Sequence, residues 1–239
     1  MSDAPITHID PASFAANPYP TLAQMRRDTP ITFVPELGAT LFTKRDDIFE
    51  QEKRVDVFSS HQPDGLMSKL MGENMMRKDG EEHSRERRIL FPALSPKTVR
   101  DVWLPQFVEK ATEILQDLGP KGQCDLVRDY AMPVSAEGLK LITGLTNMDA
   151  AELDRTSQGM IDGCSNYGGD AVIEANCHDC TRSIDAHIDA MIPLLDAAPN
   201  MSALSVQRQG GLDMDAVRAN VKLIISGGQN EPRDAIAGT

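Results

Sequence analysis

The chain holds little that would tie it to a membrane, a nucleic acid or an oxidising compartment. Across its 239 residues no stretch approaches the roughly 18 uninterrupted apolar residues of a membrane span. The opening MSDAPITHIDPASF has neither a basic flank nor an apolar signal core, so a cytoplasmic location is expected. Positive charge is scarce: 24 Lys and Arg against 36 Asp and Glu leave a net charge of -12. Binding to a phosphate backbone needs clustered cations over a broad face, so nucleic acid and anionic membranes are poor partners. Four cysteines, Cys124, Cys164, Cys177 and Cys180, are too few and too unevenly placed for a disulfide framework. No strand-helix alternation, internal repeat, GxSxG turn or phosphate-cradling glycine loop is present, which removes support for a doubly wound sheet, a hydrolase or a nucleotide binder. His8, His61, His178 and His187 show no metal-ligand spacing with carboxylates.

What is there suggests a mainly helical fold with a small β-sheet. With 41% hydrophobic residues the chain can bury a sizeable core by ordinary packing. PTLAQMRR begins a short helix at Pro20, and Ile31 to Thr43 reads as two strands about a turn at Glu36 to Gly38. KRDDIFEQEKR follows as a helix, and residues 55–80 form a long polar connection carrying Met67, Met71, Met75 and Met76. From Glu82 the pattern is almost wholly helical, broken by Pro, Gly and Asn, with the last two runs at Asp170 to about Leu195 and from Asp213 onward. DAIAGT supplies no stop signal, so the chain reads as cut inside its last helix.

Four features carry chemistry. In IISGGQNEPRD, Gly227 and Gly228 with Pro232 read either as a helix end or as a helix opened at a widened turn, where bare backbone admits a flat ligand. Asn230 and Glu231 then stand at the mouth, where polar groups can relay protons. In HSRERR, His83 and Arg87 lie four apart on one helix face, a clamp for a carboxylate, and the solvated basic face is the alternative. Arg85, Arg87, Arg88, Lys97 and Arg100 stand there against Glu86 alone, a basic island that attracts an acidic partner. Met67, Leu70 and Met71 share a helical face that serves as core or as the lid of an apolar cavity. Cys177 and Cys180 lie in a helical pattern without a second ligand pair and read as plain thiols.

Taken in order, NPYPTLAQMRRDTPITFVPELGATLFTKRDDI, DGEEHSRERRILFPALSP and IISGGQNEPRD make the chain resemble the amino-terminal part of a soluble bacterial cytochrome P450 over almost its whole length. The resemblance implies one domain, residues 1–239, with a helix and small-sheet region at 1–60 and a helical region at 61–239. It implies haem b held through its propionates by His83 and Arg87, and a central helix whose Gly227 and Gly228 cross the face where dioxygen binds. It further implies a substrate pocket formed by Met67, Leu70, Met71, Leu223 and Ser226, and a ferredoxin or flavodoxin donor docking on the basic island. The family's usual acid and alcohol pair over the oxygen is replaced here by Asn230 and Glu231 before Pro232. A Glu231 carboxyl in a dry pocket would itself hold the proton to be delivered, a replacement akin to that of members that O-demethylate small aromatic ethers. The resemblance implies that the family's ExxR pair and its Gly-rich loop with the thiolate cysteine lie beyond Thr239, and none of the four cysteines here stands in a matching loop. A haem-dependent monooxygenase acting on a small apolar substrate is thus the expectation; a non-catalytic helical fragment or ligand-binding module is the alternative, and this chain alone is not expected to be competent.

Overall fold

The computed structural model describes residues 3–239. The chain divides into two compact units, 1–59 and 60–239. In the first, α1 (Pro11–Ala16) and α2 (Tyr19–Asp28) precede an antiparallel hairpin, β1 (Ile31–Val34) and β2 (Ala39–Phe42), and then α3 (Arg45–Gln51). The register pairs Ile31 with Phe42 and Val34 with Ala39. The turn falls where expected, with Gly38 at φ 60°, a left-handed position that glycine takes without strain. Ile6 adds a parallel bridge to Phe33 on the other edge, and the fully buried Thr32 hydroxyl donates to the Pro5 carbonyl at 2.8 Å.

The second unit is helical throughout. It comprises α4 (Leu66–Met71), α5 (Gly80–Leu94), α6 (Pro96–Thr98), α7 (Leu104–Leu118), α8 (Met132–Thr143), α9 (Ala150–Cys164), α10 (Ala171–Ala197), α11 (Ala203–Gln209), α12 (Met214–Ser226) and α13 (Asn230–Ala237). Asp149, Asp170 and Asp213 start α9, α10 and α12, their carboxylates accepting the free backbone N–H groups of the first turns. Wide π-type turns, Val99–Trp103 and Leu126–Ala131, lead into α7 and α8. The core is built from Leu145, Met148, Leu153, Ile184, Ile188 and Leu204 with Val217, Val221 and Ile225 of α12, each side chain contributing about 1.5–3 kcal/mol by leaving water.

Helix α9 approaches α10 closely because it is bare at two places. A Cβ at Gly163 would lie 2.5 Å from the Cys177 sulfur, and one at Gly159 would run into the Cys180 sulfur. The two thiols of the CHDC stretch are therefore packing groups seated against glycines, fully buried, and burial pushes the Cys177 thiol up to about 11. Among the described residues no cluster of His, Cys, Asp and Glu is arranged to hold a metal ion, and no helix is long and apolar enough to cross a membrane.

The connection at 55–80 contains α4, the helix that the shared face of Met67, Leu70 and Met71 suggests, and a short 3-10 turn, Met75–Arg77, which was not foreseen. A second element was not foreseen either. Helix α11, ALSVQRQ, is buried along most of its length, Ala203 through Gln207. A helix wrapped on all sides shows no polar face, and Gln207 survives there by donating to the Ala203 carbonyl at 3.0 Å.

Candidate functional site

The HSRERR stretch lies in the first half of α5, and its i, i+4 spacing sets His83 and Arg87 one turn apart. His83 is half-buried, and its Nδ1 stands 2.8 Å from the Met75 carbonyl oxygen. A carbonyl only accepts, so the proton sits on Nδ1 and Nε2 is the free ring nitrogen. Arg87 is exposed and makes no ion pair among the described residues.

The neighbouring acids are all engaged elsewhere. Lys78 binds Glu82 at 3.0 Å and Glu86 at 2.6 Å, while Glu81 binds Arg88 at 2.5 Å. Glu86, the acid that the sequence sets within the basic island, is in fact only 4% exposed. Its charge is cancelled inside the protein by Lys78, which leaves Arg85, Arg87 and Lys97 exposed without ion pairs among the described residues. These three carry the free positive charge of the island, since Arg88 is paired with Glu81. Partial neutralisation comes from Asp101, which holds Arg100 at 2.7 Å.

Helix α12 stops at Ser226 and the chain resumes as α13 at Asn230, so the helix is interrupted over three residues. Gly227, at φ -105° and ψ 3°, is not in the left-handed cap conformation, and Pro232 sits in the first turn of α13, where its missing N–H costs nothing. Gln229 anchors the break. Its side chain is fully buried and donates to the Met132 carbonyl at 3.4 Å and to Asp154 Oδ1 at 3.1 Å, while its own carbonyl accepts from Ser135 at 2.7 Å. Ser157 clamps the Ile225 carbonyl at 3.1 Å. The Met132 carbonyl and side chains of α8 and α9 thus hold the Gln229 amide and the carbonyls at either side of the break.

The two glycines differ. Gly227 is exposed, and a Cβ there would meet nothing nearer than the Leu223 oxygen at 3.6 Å. At Gly228 a Cβ would lie 2.5 Å from the Ile224 oxygen and 3.0 Å from Leu139 Cδ1. Beside it opens an apolar cavity of about 190 Å³ lined by Phe107, Gly138, Leu139, Pro232 and Ile236. Asn230 donates to Gln158 at 3.3 Å and leaves its Oδ1 buried without a partner. Glu231 is exposed, so the described residues do not supply the desolvation that a dry pocket would.

Of the residues assigned to substrate, Leu70, Met71 and Leu223 are buried, and Leu70 and Met71 belong to the central apolar cluster. Met67 packs against that cluster while half-exposed, and the Ser226 hydroxyl donates to the Leu223 carbonyl at 3.1 Å. The structure ties α5 to α12 through a residue that sequence reasoning missed. Asn220, seven residues before Gly227, accepts from the Met75 N–H and donates to Glu86, both at 2.8 Å. Asn220 and Glu86 stand 134 residues apart, and no local spacing signals their pairing.

This architecture has known counterparts. Among curated proteins, the cytochrome P450 YjiB of Bacillus subtilis is 27% identical over 120 residues, covering 50% of this chain and 30% of its own length. The steroid C26-monooxygenase of Rhodococcus jostii is 24% identical over 160 residues, covering 59% and 34% respectively. Among solved structures, P450BioI, crystallised with an acyl carrier protein ligated to hexadec-9Z-enoic acid, superposes with a TM-score of 0.73 at 16% identity, over 92% of this chain and 59% of its own. No family model matches the chain. The fold is mainly α with a small sheet, and the chain carries the amino-terminal portion of the cytochrome P450 fold, similar to its soluble bacterial members. It spans about a third of the length of these two curated relatives.

Proposed function

We propose that residues 1–239 contribute to a single domain, the front portion of a haem-dependent monooxygenase that hydroxylates or O-demethylates a small apolar, aromatic substrate. The observation that carries this reading is the donor set on α5. His83 and Arg87 stand one turn apart, Arg87 has no protein anion, and the three nearest acids are spent on Lys78 and Arg88. Such a pair suits the two carboxylates of haem b: Arg87 donates as it stands, and His83 donates through Nε2 once the ring takes a second proton, both as charge-assisted hydrogen bonds. The open side of Gly227 supports a flat group lying against the backbone there, whereas Gly228 serves the packing of the turn on α8. When bound, a thiolate-ligated haem supplies the reductive activation of dioxygen and the transfer of one oxygen atom to the substrate.

The chain's own part is to orient, exclude water and move protons. Met67, Leu70, Met71, Leu223 and Ser226 form the apolar wall, with the buried members keeping it rigid. Glu231 takes protons from water at the start of α13, and the Asn230 amide, held by Gln158, orients the hydrogen bonds along which they move toward the break. With Arg87 taken by the haem carboxylate, Arg85 and Lys97 give an acidic ferredoxin or flavodoxin a surface on which attraction guides a transient contact.

Replacement of Arg87 by Ala and of His83 by Ala in the product of the complete reading frame tests the anchor. Haem retained per polypeptide should fall several-fold at unchanged secondary structure; full retention in both variants removes the assignment. Formaldehyde released from an aromatic methyl ether under turnover checks the substrate class, and its absence alongside turnover of unrelated compounds rejects it.

A further inference from the structure

Asn220 is completely buried on α12, and each atom of its amide has one partner of fixed polarity. Nδ2 donates to Glu86 Oε2 and Oδ1 accepts from the Met75 N–H. Turning the amide over would set its oxygen on a carboxylate and its NH2 on an N–H donor, two repulsive contacts away from water, so the orientation is determined. Glu86 is locked in turn by Lys78 at 2.6 Å, whose side chain is only 10% exposed. Lys78 also donates its backbone N–H to the Met75 carbonyl at 3.3 Å. That carbonyl is the one that His83 Nδ1 reaches at 2.8 Å. A chain of contacts therefore runs from α12 through the Met75 turn to the imidazole on α5. Apolar side chains of the same volume would fill this space at no loss of stability, since burying an ion pair costs about as much as it returns.

We propose that Asn220 is a positioning residue for His83. By fixing the Met75 turn it holds Nδ1 as the donor to the Met75 carbonyl, so that Nε2 is the ring nitrogen that faces outward; it accepts while the ring is neutral and donates to an anionic group once the ring takes a second proton. The role in cofactor binding rests on the reading of His83 as an anchor; the tautomer itself does not.

The test is nitrogen NMR of the protein labelled with 15N-histidine, which has five histidines, at a pH where they are neutral. His83 is assigned by the signal lost in His83→Gln. In the wild type its Nδ1 should show the pyrrole-type shift and its Nε2 the pyridine-type shift. Asn220→Leu, which removes the acceptor at similar volume, should move His83 toward the tautomer mixture of free imidazole and leave the other four histidines unchanged. Asn220→Asp alone sets two carboxylates together. Combined with Glu86→Gln it keeps the acceptor for Met75, restores a donor-acceptor pair of reversed polarity and conserves charge, so it should bring the wild-type shifts back. Unchanged His83 shifts in a folded Asn220→Leu protein, or a wild-type His83 protonated on Nε2, overturn the proposal. Should Asn220→Leu fail to fold, identical His83 shifts in Asn220→Asp and in the double variant overturn it instead. Because no cofactor is needed, this outcome is independent of whether His83→Ala and Arg87→Ala lose haem.

Discussion

Alanine at Gly228 and alanine at Gly227 should have opposite effects, although the two glycines stand side by side. At 228 the new methyl would lie 2.5 Å from the Ile224 carbonyl oxygen and 3.0 Å from Leu139 Cδ1. The leucine methyl can give way by rotation, but the oxygen belongs to the backbone of α12 in its last turn, so the turn itself must shift. Overpacking of this kind costs about 1–3 kcal/mol, and a backbone obstacle places Gly228→Ala in the upper half of that range. At 227 the backbone φ of -105° suits any residue and the nearest atom, at 3.6 Å, is in ordinary contact. Gly227→Ala then acts mainly by restricting the unfolded chain and should stabilise by about 0.4–1 kcal/mol. For a chain of this size each kcal/mol moves the midpoint by roughly 2–4 °C, which separates the two variants by about 5 to 15 °C. Thermal melts and urea titrations followed by circular dichroism measure this. Equal midpoints for the two variants, or a Gly228→Ala protein as stable as wild type, would refute the packing reason given for Gly228.

Other consequences follow from buried and paired charges. Replacing Glu86 by Ala leaves the Lys78 ammonium half-stranded beside Glu82 and should cost about 3–5 kcal/mol, with Glu86→Gln costing less, as denaturant midpoints will show. Arg155, through two contacts of 2.7 Å, and then Ser183 hold the Glu152 carboxyl below its ordinary value of 4.5. Because the folded value is the lower one, this contribution is complete above that ordinary value and is lost as pH falls through the folded value. Glu152→Gln should accordingly flatten the acid limb of a stability-pH curve. For Cys177 the sign is reversed: the unfolded thiol ionises near 9.0 and the folded one near 11, so stability falls as pH rises across that interval. At pH 8 a thiol reagent should label exposed Cys124 quickly and reach Cys177 and Cys180 only on unfolding, which mass spectrometry of the labelled peptides resolves.

Residue spacing alone made the helical character, the hairpin with its turn at Gly38, and the starts of α10 and α12 legible. These are local matters: an aspartate caps the N–H groups two and three residues ahead, and a glycine accepts a left-handed turn whatever surrounds it. The adjacency of His83 and Arg87 was legible for the same reason, since four residues make about one turn. The order of three stretches along the chain carried the likeness to cytochrome P450s, which fold comparison then bore out.

Tertiary structure decided the rest. Glu86 reads as one acid in a basic run, and only the arrival of Lys78 and of Asn220 from α12 makes it a buried knot. The helix break could be suspected from two glycines, yet what anchors it is Gln229, held by Met132 and Asp154, which lie 97 and 75 residues earlier. Equally, Gly228 is crowded by the Ile224 carbonyl oxygen and by a leucine on α8, and the glycines of α9 by the thiols of α10. Backbone preference acts between neighbours in sequence and is written there. Close packing and the pairing of buried polar groups act between neighbours in space, and those exist only once the chain has closed on itself.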